Sequence, residues 1–379
     1  MRILILNQYA PPDPAPTAQL IGELATALEA AGHEVWIASS SQAYRSKRPQ
    51  RFGRVFREVF ALAKLLLDGL RQPNHDIVLS TSSPPGLLVV ATLLAFIRRS
   101  KSLHWALDLY PELAFRLDPQ VPRLFQNLAH WMVGCCYRQV DTLITLDGDM
   151  QSHLRELYDV DSRLIRPWVL QRNLPYKANY PPKDPFRWIY SGNLGLAHDW
   201  KTLLEAQSLL ESQRLPIRLV FQGGGAHWPA TIEFARAHKL KQVDWVGYVS
   251  PQDVVPSLLA SHVLVVTQNP LTRGLLWPSK LGLVMKLPRP LVFVGSSGGA
   301  IAAELERLPG AKVFEPGQSD RLARYIADLY EHWPPEHPPF IAQQDERHDA
   351  LQDWLLLIER LGSFQSARFR GRNDPQITP

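Results

Sequence analysis

Hydrophobic positions in the first half of the chain alternate between short apolar runs and longer stretches of helical period. Ile3 to Leu6 reads as a strand and is followed by a proline-rich loop, NQYAPPDPAPTAQ. Residues 17–31 carry Ala, Leu and Glu at helical spacing, Gly32 stops them, and His33 to Ala38 read as the next strand. A strand, loop, helix and strand in this order predict a parallel sheet. Further strands are predicted at 76–80, 102–107 and 141–146, with helices at 55–70, 86–97 and 121–138.

The same order restarts after a proline-rich stretch over 167–186. Strands are predicted at FRWIYSG, IRLVFQGGG, VDWVGYV, HVLVVTQ, PLVFVG and KVFEP. Helices are predicted at 199–212, 229–238, 279–287, 299–307 and 319–331. The expected architecture is α/β, with two doubly wound Rossmann-like domains facing a central cleft. The expected boundaries are 1–168 and 186–345, joined by a linker at 169–185. A helix at 346–363 could cross back to the first domain, and a polar tail covers 364–379. Ligands of such sheets bind at the carboxyl ends of the strands.

Charge adds one feature. The formal charge is +5 and uneven: Arg45, Lys47, Arg48, Arg51, Arg54 and Arg57 crowd thirteen residues. Such a patch suits a solvated surface, an anionic membrane or an anionic substrate. No recognition helix, finger or aromatic platform for nucleic acid is visible. Cys135 and Cys136 are adjacent and read as buried thiols of a reducing, cytoplasmic compartment. The amino terminus does not read as a signal peptide. The apolar run GLLVVATLLAFI is twelve residues long against the roughly 20 that a spanning helix needs, and reads as a buried helix.

Candidate chemistry lies at predicted strand ends. Tyr190-Ser191-Gly192-Asn193-Leu194-Gly195 follows a strand, as do Gly223, Gly224 and Gly225. Such turns admit close backbone approach, and their amides can cradle a phosphate. In GLLWPSKLGLVMKLPRP, Pro278 and Ser279 stand where a first turn and a cap would be, and Lys280 adds a cation. A capped core helix and a diphosphate clamp both fit those three residues. In LHWALDLYPE, Asp108 and Glu112 could orient a hydroxyl or a leaving group, while His104 fits a buried strand position. Asp147-Gly148-Asp149 has the letters of a metal motif but reads as a turn, and no other spacing suggests a metal.

Five segments in order resemble the bacterial retaining glycosyltransferases of family 4, of the GT-B fold, and within them the group that builds O-antigen, capsule and exopolysaccharide. They are ILILNQYAPPDPAPTAQLIGELATALEAAGHEV, LHWALDLYPE, DTLITL, YSGNLGLAHDWKTLLEA and PSKLGLVMKLPRPLVFV. The resemblance implies a nucleotide-diphosphate sugar donor in the second domain, with no cofactor and no metal. Gly192, Asn193 and Gly195 would approach its phosphates, and Gly223 to Gly225 with Gly247 and Tyr248 would lie near the nucleotide. Pro278, Ser279 and Lys280 would hold the departing diphosphate, and Asp108, Glu112 and Lys280 would be catalytic. The acceptor, a polyprenyl-linked or other glycan, would enter by the loop 8–17 of the first domain. Residues 45–57 would touch the anionic inner face of the cytoplasmic membrane.

This chain departs from that pattern. Leu275 and Leu283 stand where many relatives carry glutamates, and Pro288 replaces a glycine before Arg289-Pro290. Ala106 and Leu107 flank Asp108 where a histidine is common, and Ala15-Pro16 replaces a glycine pair. A catalytically impaired partner or scaffold of the same fold, and a nucleotide-sugar epimerase, are the alternative readings.

Overall fold

The computed structural model describes residues 1–41, 51–118, 120–171, 174, 179–335 and 346–370, with the side chains of 51–55 and 363–370 set aside. The chain divides into two units, Met1–Leu170 with Asp345–Pro379, and Gln171–Gln344.

In the first unit, strands and helices alternate: β1 (Arg2–Tyr9), α1 (Pro16–Ala30), β2 (Glu34–Ser41), α2 (Arg51–Arg71), β3 (Ile77–Thr81), α3 (Leu87–Arg98), β4 (Lys101–Trp105), α4 (Glu112–Leu117), α5 (Arg123–Gln139), β5 (Thr142–Thr145), α6 (Gly148–Tyr158) and β6 (Arg163–Leu164). The sheet is parallel with order β2-β1-β3-β4-β5-β6. β3 is buried along its whole length, as a central parallel strand covered on both faces must be. Leu65, Leu87, Ala91 and Leu94 from α2 and α3 pack on Leu4, Leu6 and Val78.

The second unit repeats the alternation: β7 (Phe186–Asn193), α7 (Lys201–Ser212), β8 (Ile217–Gly224), α8 (Trp228–Ala237), β9 (Val243–Val246), α9 (Val254–Leu259), β10 (Val263–Thr267), α10 (Lys280–Val284), β11 (Leu291–Val294), α11 (Ala300–Leu305), β12 (Ala311–Phe314) and α12 (Ser319–Glu331). Its parallel sheet runs β12-β11-β10-β7-β8-β9, so the order reverses between β7 and β10. Trp188, Tyr190, Phe221 and Val265 fill its core.

The closing helix α13 (Glu346–Arg370) packs on the first unit. Arg347 Nε and Trp168 Nε1 both donate to Glu23 Oε2, at 2.8 and 2.7 Å, and Trp354 meets Trp105 edge-on at 4.9 Å.

Two expectations need correction. The helix expected at 279–287 is a single α-turn, α10, followed by i→i+3 bonds from Lys286 to Leu283 and from Leu287 to Val284. Pro288, which has no N–H, ends it. The run 86–97 is not a buried helix throughout: Leu93, Phe96 and Ile97 face outward. The basic residues Arg45, Lys47 and Arg48 lie outside the described residues, and Arg57 is exposed. Among the described residues, no helix is long and apolar enough to cross a membrane.

Candidate functional site

The two glycine turns of the second unit become register neighbours. Gly192 pairs with Gly223 and Asn193 with Gly224 at the ends of β7 and β8. The approach is closer than a side chain allows. A Cβ on Gly223 would lie 2.3 Å from the Gly192 carbonyl oxygen, and Gly223 has φ +127°. Leu194 N donates to the Gly224 carbonyl at 2.6 Å and His227 N to the Leu194 carbonyl at 3.0 Å, tying the two turns together beside Gly225. Gly195 closes a turn, its carbonyl accepting from His198 N at 3.1 Å.

Lys280 reaches back across ninety residues of sequence to this place. Its Nζ donates to the Tyr190 hydroxyl and stands 3.8 Å from the centre of the Tyr190 ring. The same Nζ is 3.2 Å from where a Cβ of Gly192 would be, so the glycine makes room for the lysine. Tyr190 in turn donates to the Asn193 carbonyl at 2.9 Å. Burial lowers the Lys280 ammonium to about 7, because a desolvated cation is costly. The site stands where the order of the sheet reverses, the usual ligand position of such folds.

The surroundings are neutral. His198 Nδ1 donates to the Thr267 carbonyl at 2.7 Å, and burial together with Lys280 lowers the imidazole to about 3. The Thr267 hydroxyl is buried without a hydrogen-bond partner. Ser191 and Ser257 both donate to Gln222 Oε1, at 2.7 and 3.1 Å. Gly247 and Tyr248 are exposed, and the Tyr248 ring edge lies 3.0 Å from where a Cβ of Gly224 would be.

The Pro278-Ser279-Lys280 stretch is neither a cap nor a long helix start. Ser279 has helical torsions, is exposed and makes no side-chain cap bond, while the buried Pro278 accepts from Leu281 N at 2.8 Å. One turn of helix supplies little dipole, so the electrostatic weight of this stretch rests on Lys280. Leu275 and Leu283 are 1% and 8% exposed and belong to the apolar packing. Arg289 is also buried; its guanidinium donates to the carbonyls of Asn179, Leu259, Ser261 and Pro288 and so ties chain segments together.

In the first unit, Asp108 follows β4. Its N–H donates to Ser82 Oγ at 2.9 Å, and its carboxylate has no hydrogen bond or ion pair among the described residues. Burial raises it to about 6. Glu112 does not share this setting. It opens α4 and is buried, and its Oε1 accepts from the Tyr158 hydroxyl and lies 3.2 Å from His130 Nδ1. His104 is buried against Tyr137, with Nδ1 2.9 Å from Ser80 Oγ, and burial lowers it to about 3. Where β1 and β3 part, Asn7, Thr81, Gln8 and Ser83 bond one another. Asp147 caps α6 by accepting from Met150 N at 2.7 Å. Cys135 and Cys136 are free thiols. Among the described residues, no group of three His, Cys, Asp or Glu side chains could hold a metal ion.

Tyr190 opens the turn that the sequence marks, but its partnership with Lys280 leaves no local signal, because ninety residues separate the two. His198 and Thr267 carry no signal in their spacing, since they meet only through the bond from His198 Nδ1 to the Thr267 carbonyl.

Comparison with known proteins adds a family match and a fold. Residues 17–169 match the model of Glycosyltransferase Family 4. A search of curated proteins by sequence finds no match. Among solved structures, the sucrose-phosphate synthase of Thermosynechococcus elongatus is similar with TM-score 0.62 at 14% identity, over 98% of this chain and 100% of that one. HepE of Anabaena in complex with UDP gives 0.60 at 14% identity, over 88% and 91%. The lipopolysaccharide outer core galactosyltransferase WaaB gives 0.57 at 15%, over 87% and 90%. Residues 17–169 are thus similar in sequence to Glycosyltransferase Family 4, and the pair of Rossmann-like domains has the GT-B-like fold of these solved structures.

Proposed function

We propose that the protein is a glycosyltransferase that moves a sugar from a nucleotide-diphosphate sugar to a hydroxyl of a polyprenyl-linked or other glycan. The observation that carries this reading is the convergence of Lys280, Gly192 and Tyr190 where the second sheet reverses its order. A half-buried ammonium lowered to about 7 gains most from a ligand that brings its own negative charge. A diphosphate does so, and it gains charge as its bond to the sugar breaks. A fixed cation and backbone donors therefore favour the transition state more than the ground state. The exposed Tyr248 ring beside Gly224 offers a flat face for a base.

The match to Glycosyltransferase Family 4 supports transfer with retention at the anomeric carbon and without a metal. The acceptor oxygen bonds to that carbon as the diphosphate leaves with the bonding electron pair, and the acceptor proton passes to a phosphate oxygen. Asp108, a carboxylate without a partner among the described residues, is the first-unit group suited to holding an acceptor hydroxyl. Glu112 is already engaged by Tyr158 and His130, which favours a structural role.

A second reading has one observation in its favour. Leu275 and Leu283 place no carboxylate where the family resemblance expects a grip on the donor ribose, which suits a non-catalytic partner of the same fold. Calorimetric titration with nucleoside diphosphates and nucleotide sugars, without metal and then with magnesium, separates the two. Binding of one diphosphate without metal, weakened about 100-fold in Lys280→Ala, is the expected outcome. A folded protein that binds none of them is the non-catalytic partner.

A further inference from the structure

Helices α2, α3 and α5 lie side by side on the first unit, and each is apolar on both sides. Inward, they supply the core. Outward, α2 repeats Phe56, Phe60 and Leu67 at helical spacing, with Phe56 77% exposed. On α3, Leu93 and Phe96 continue the surface, Phe96 at 78%. On α5, Leu124, Leu128 and Trp131 form a third stripe, with Leu124 76% and Trp131 66% exposed. Helices that only cover a sheet keep their outer face polar. Neighbouring aromatic and aliphatic stripes on three adjacent helices form a patch of the kind that marks an interaction surface.

The charge on these helices points to one partner. Arg57, Lys64, Arg71, Arg98, Arg123 and Arg138 stand against Glu58 and Asp68 alone over residues 56–71, 87–98 and 123–139. Asp68 pairs with Lys64 and Arg71, Glu58 Oε2 is buried, and Arg98 and Arg138 donate to the carbonyls of Leu70 and Tyr158, which leaves Arg57 and Arg123 as the cations of this face among the described residues. Arg57 and Arg123 are exposed beside the aromatic stripes. A second copy docking through the same face would set these arginines against their own image, which costs energy rather than gaining it. A surface of acyl chains beneath anionic headgroups complements both the apolar stripes and the surrounding cations. Phenylalanine and tryptophan suit that boundary, where an apolar ring meets polar headgroups.

We infer that the outward face of α2, α3 and α5 docks flat on an anionic lipid bilayer, its aromatic stripes entering the headgroup layer. The surface stands independently of the donor reading, since none of its residues belongs to the site around Lys280.

Flotation of the full chain with vesicles tests this. One set contains phosphatidylglycerol with phosphatidylethanolamine, the other phosphatidylcholine alone. The protein is expected to float with the anionic set, weakened but not abolished by salt. Phe60→Ser, Phe96→Ser and Trp131→Ser together should cut partitioning by about ten-fold or more while nucleoside diphosphate binding is kept. Arg57→Glu with Arg123→Glu should remove the preference for the anionic set, and this variant decides the matter if the triple variant does not fold. Sedimentation of wild type in the bottom fraction with both vesicle sets overturns the inference. So does undiminished flotation of the triple variant, or a concentration-dependent dimer that the triple variant abolishes.

Discussion

At the carboxyl edge of the second sheet, two strand ends meet through glycine, and Lys280 stands where a side chain on Gly192 would be. At the corresponding edge of the first sheet, side chains close the gap. Thr81 donates to Asn7 Oδ1 at 2.5 Å and Ser83 to Gln8 Oε1 at 2.8 Å. The first arrangement leaves room for backbone to meet a ligand, and its charge is a cation. The second satisfies its own polar groups and leaves a carboxylate, Asp108, as its charge. Both charges are desolvated, and burial shifts both toward neutrality: Lys280 down to about 7, Asp108 up to about 6. The same fold thus places opposite charges in similarly dry settings at its two edges, as the proposed binding of an anion at one and a hydroxyl at the other requires.

The largest effect is expected where the backbone itself is the site. Gly223→Ala puts a Cβ 2.3 Å from the Gly192 carbonyl oxygen at φ +127°. It should cost about 3 kcal/mol or more in urea unfolding, by clash and strain together. Gly32→Ala is the control, because Gly32 has φ +83° with nothing within 4 Å of an added Cβ. It should cost only about 1 kcal/mol. Equal losses at the two positions would break the claim that the second edge depends on close approach.

Much of this architecture is legible along the chain. β3 opens on Ile77-Val78-Leu79 and β10 on Val263-Leu264-Val265-Val266, and the glycines fall at the ends of β7 and β8, so the sheets and their carboxyl edges follow from local pattern. What escapes is of two kinds. Short elements such as α4 and α9 are six residues each and show too little period to register. Tertiary partnerships leave no local trace. Lys280 finds Tyr190 across ninety residues, and Glu112, four residues after Asp108, turns inward because Tyr158 and His130 wait there. A two-sided apolar helix such as α3 reads as buried, since hydrophobicity alone does not say whether the outer face meets protein or something else.

Asp108→Asn sharpens the comparison from the first unit's side. Its folded carboxyl is raised from 3.8 to about 6, so the folded state holds this proton more tightly than the unfolded chain. The group's contribution therefore falls as pH rises through that window and stays low above it. The asparagine variant should match wild type near pH 4 and exceed it by about 1–2 kcal/mol at pH 7, the shift being trimmed for partial solvation. Sugar transfer should drop in the same variant while nucleotide affinity is kept. A variant less stable than wild type at both pH values would mean that the carboxylate has a structural partner.

A further effect has the opposite sign and belongs to the second unit. Burial lowers Lys280 from 10.5 to about 7 in the folded protein, so the unfolded chain holds this proton more tightly between those values. The lysine's desolvation penalty is then relieved as pH rises, and stability climbs through the window in which the Asp108 contribution no longer changes. Nucleotide binding runs the other way, because a diphosphate prefers the charged ammonium and must draw a proton to it above pH 7. Its affinity should fall about five-fold from pH 7 to pH 8, with proton uptake visible as a buffer-dependent heat. Lys280→Met should flatten both slopes while leaving that of Asp108 intact. A nucleotide affinity that is level across this range in wild type would place the diphosphate away from Lys280, and the second edge would lose its charge from the comparison.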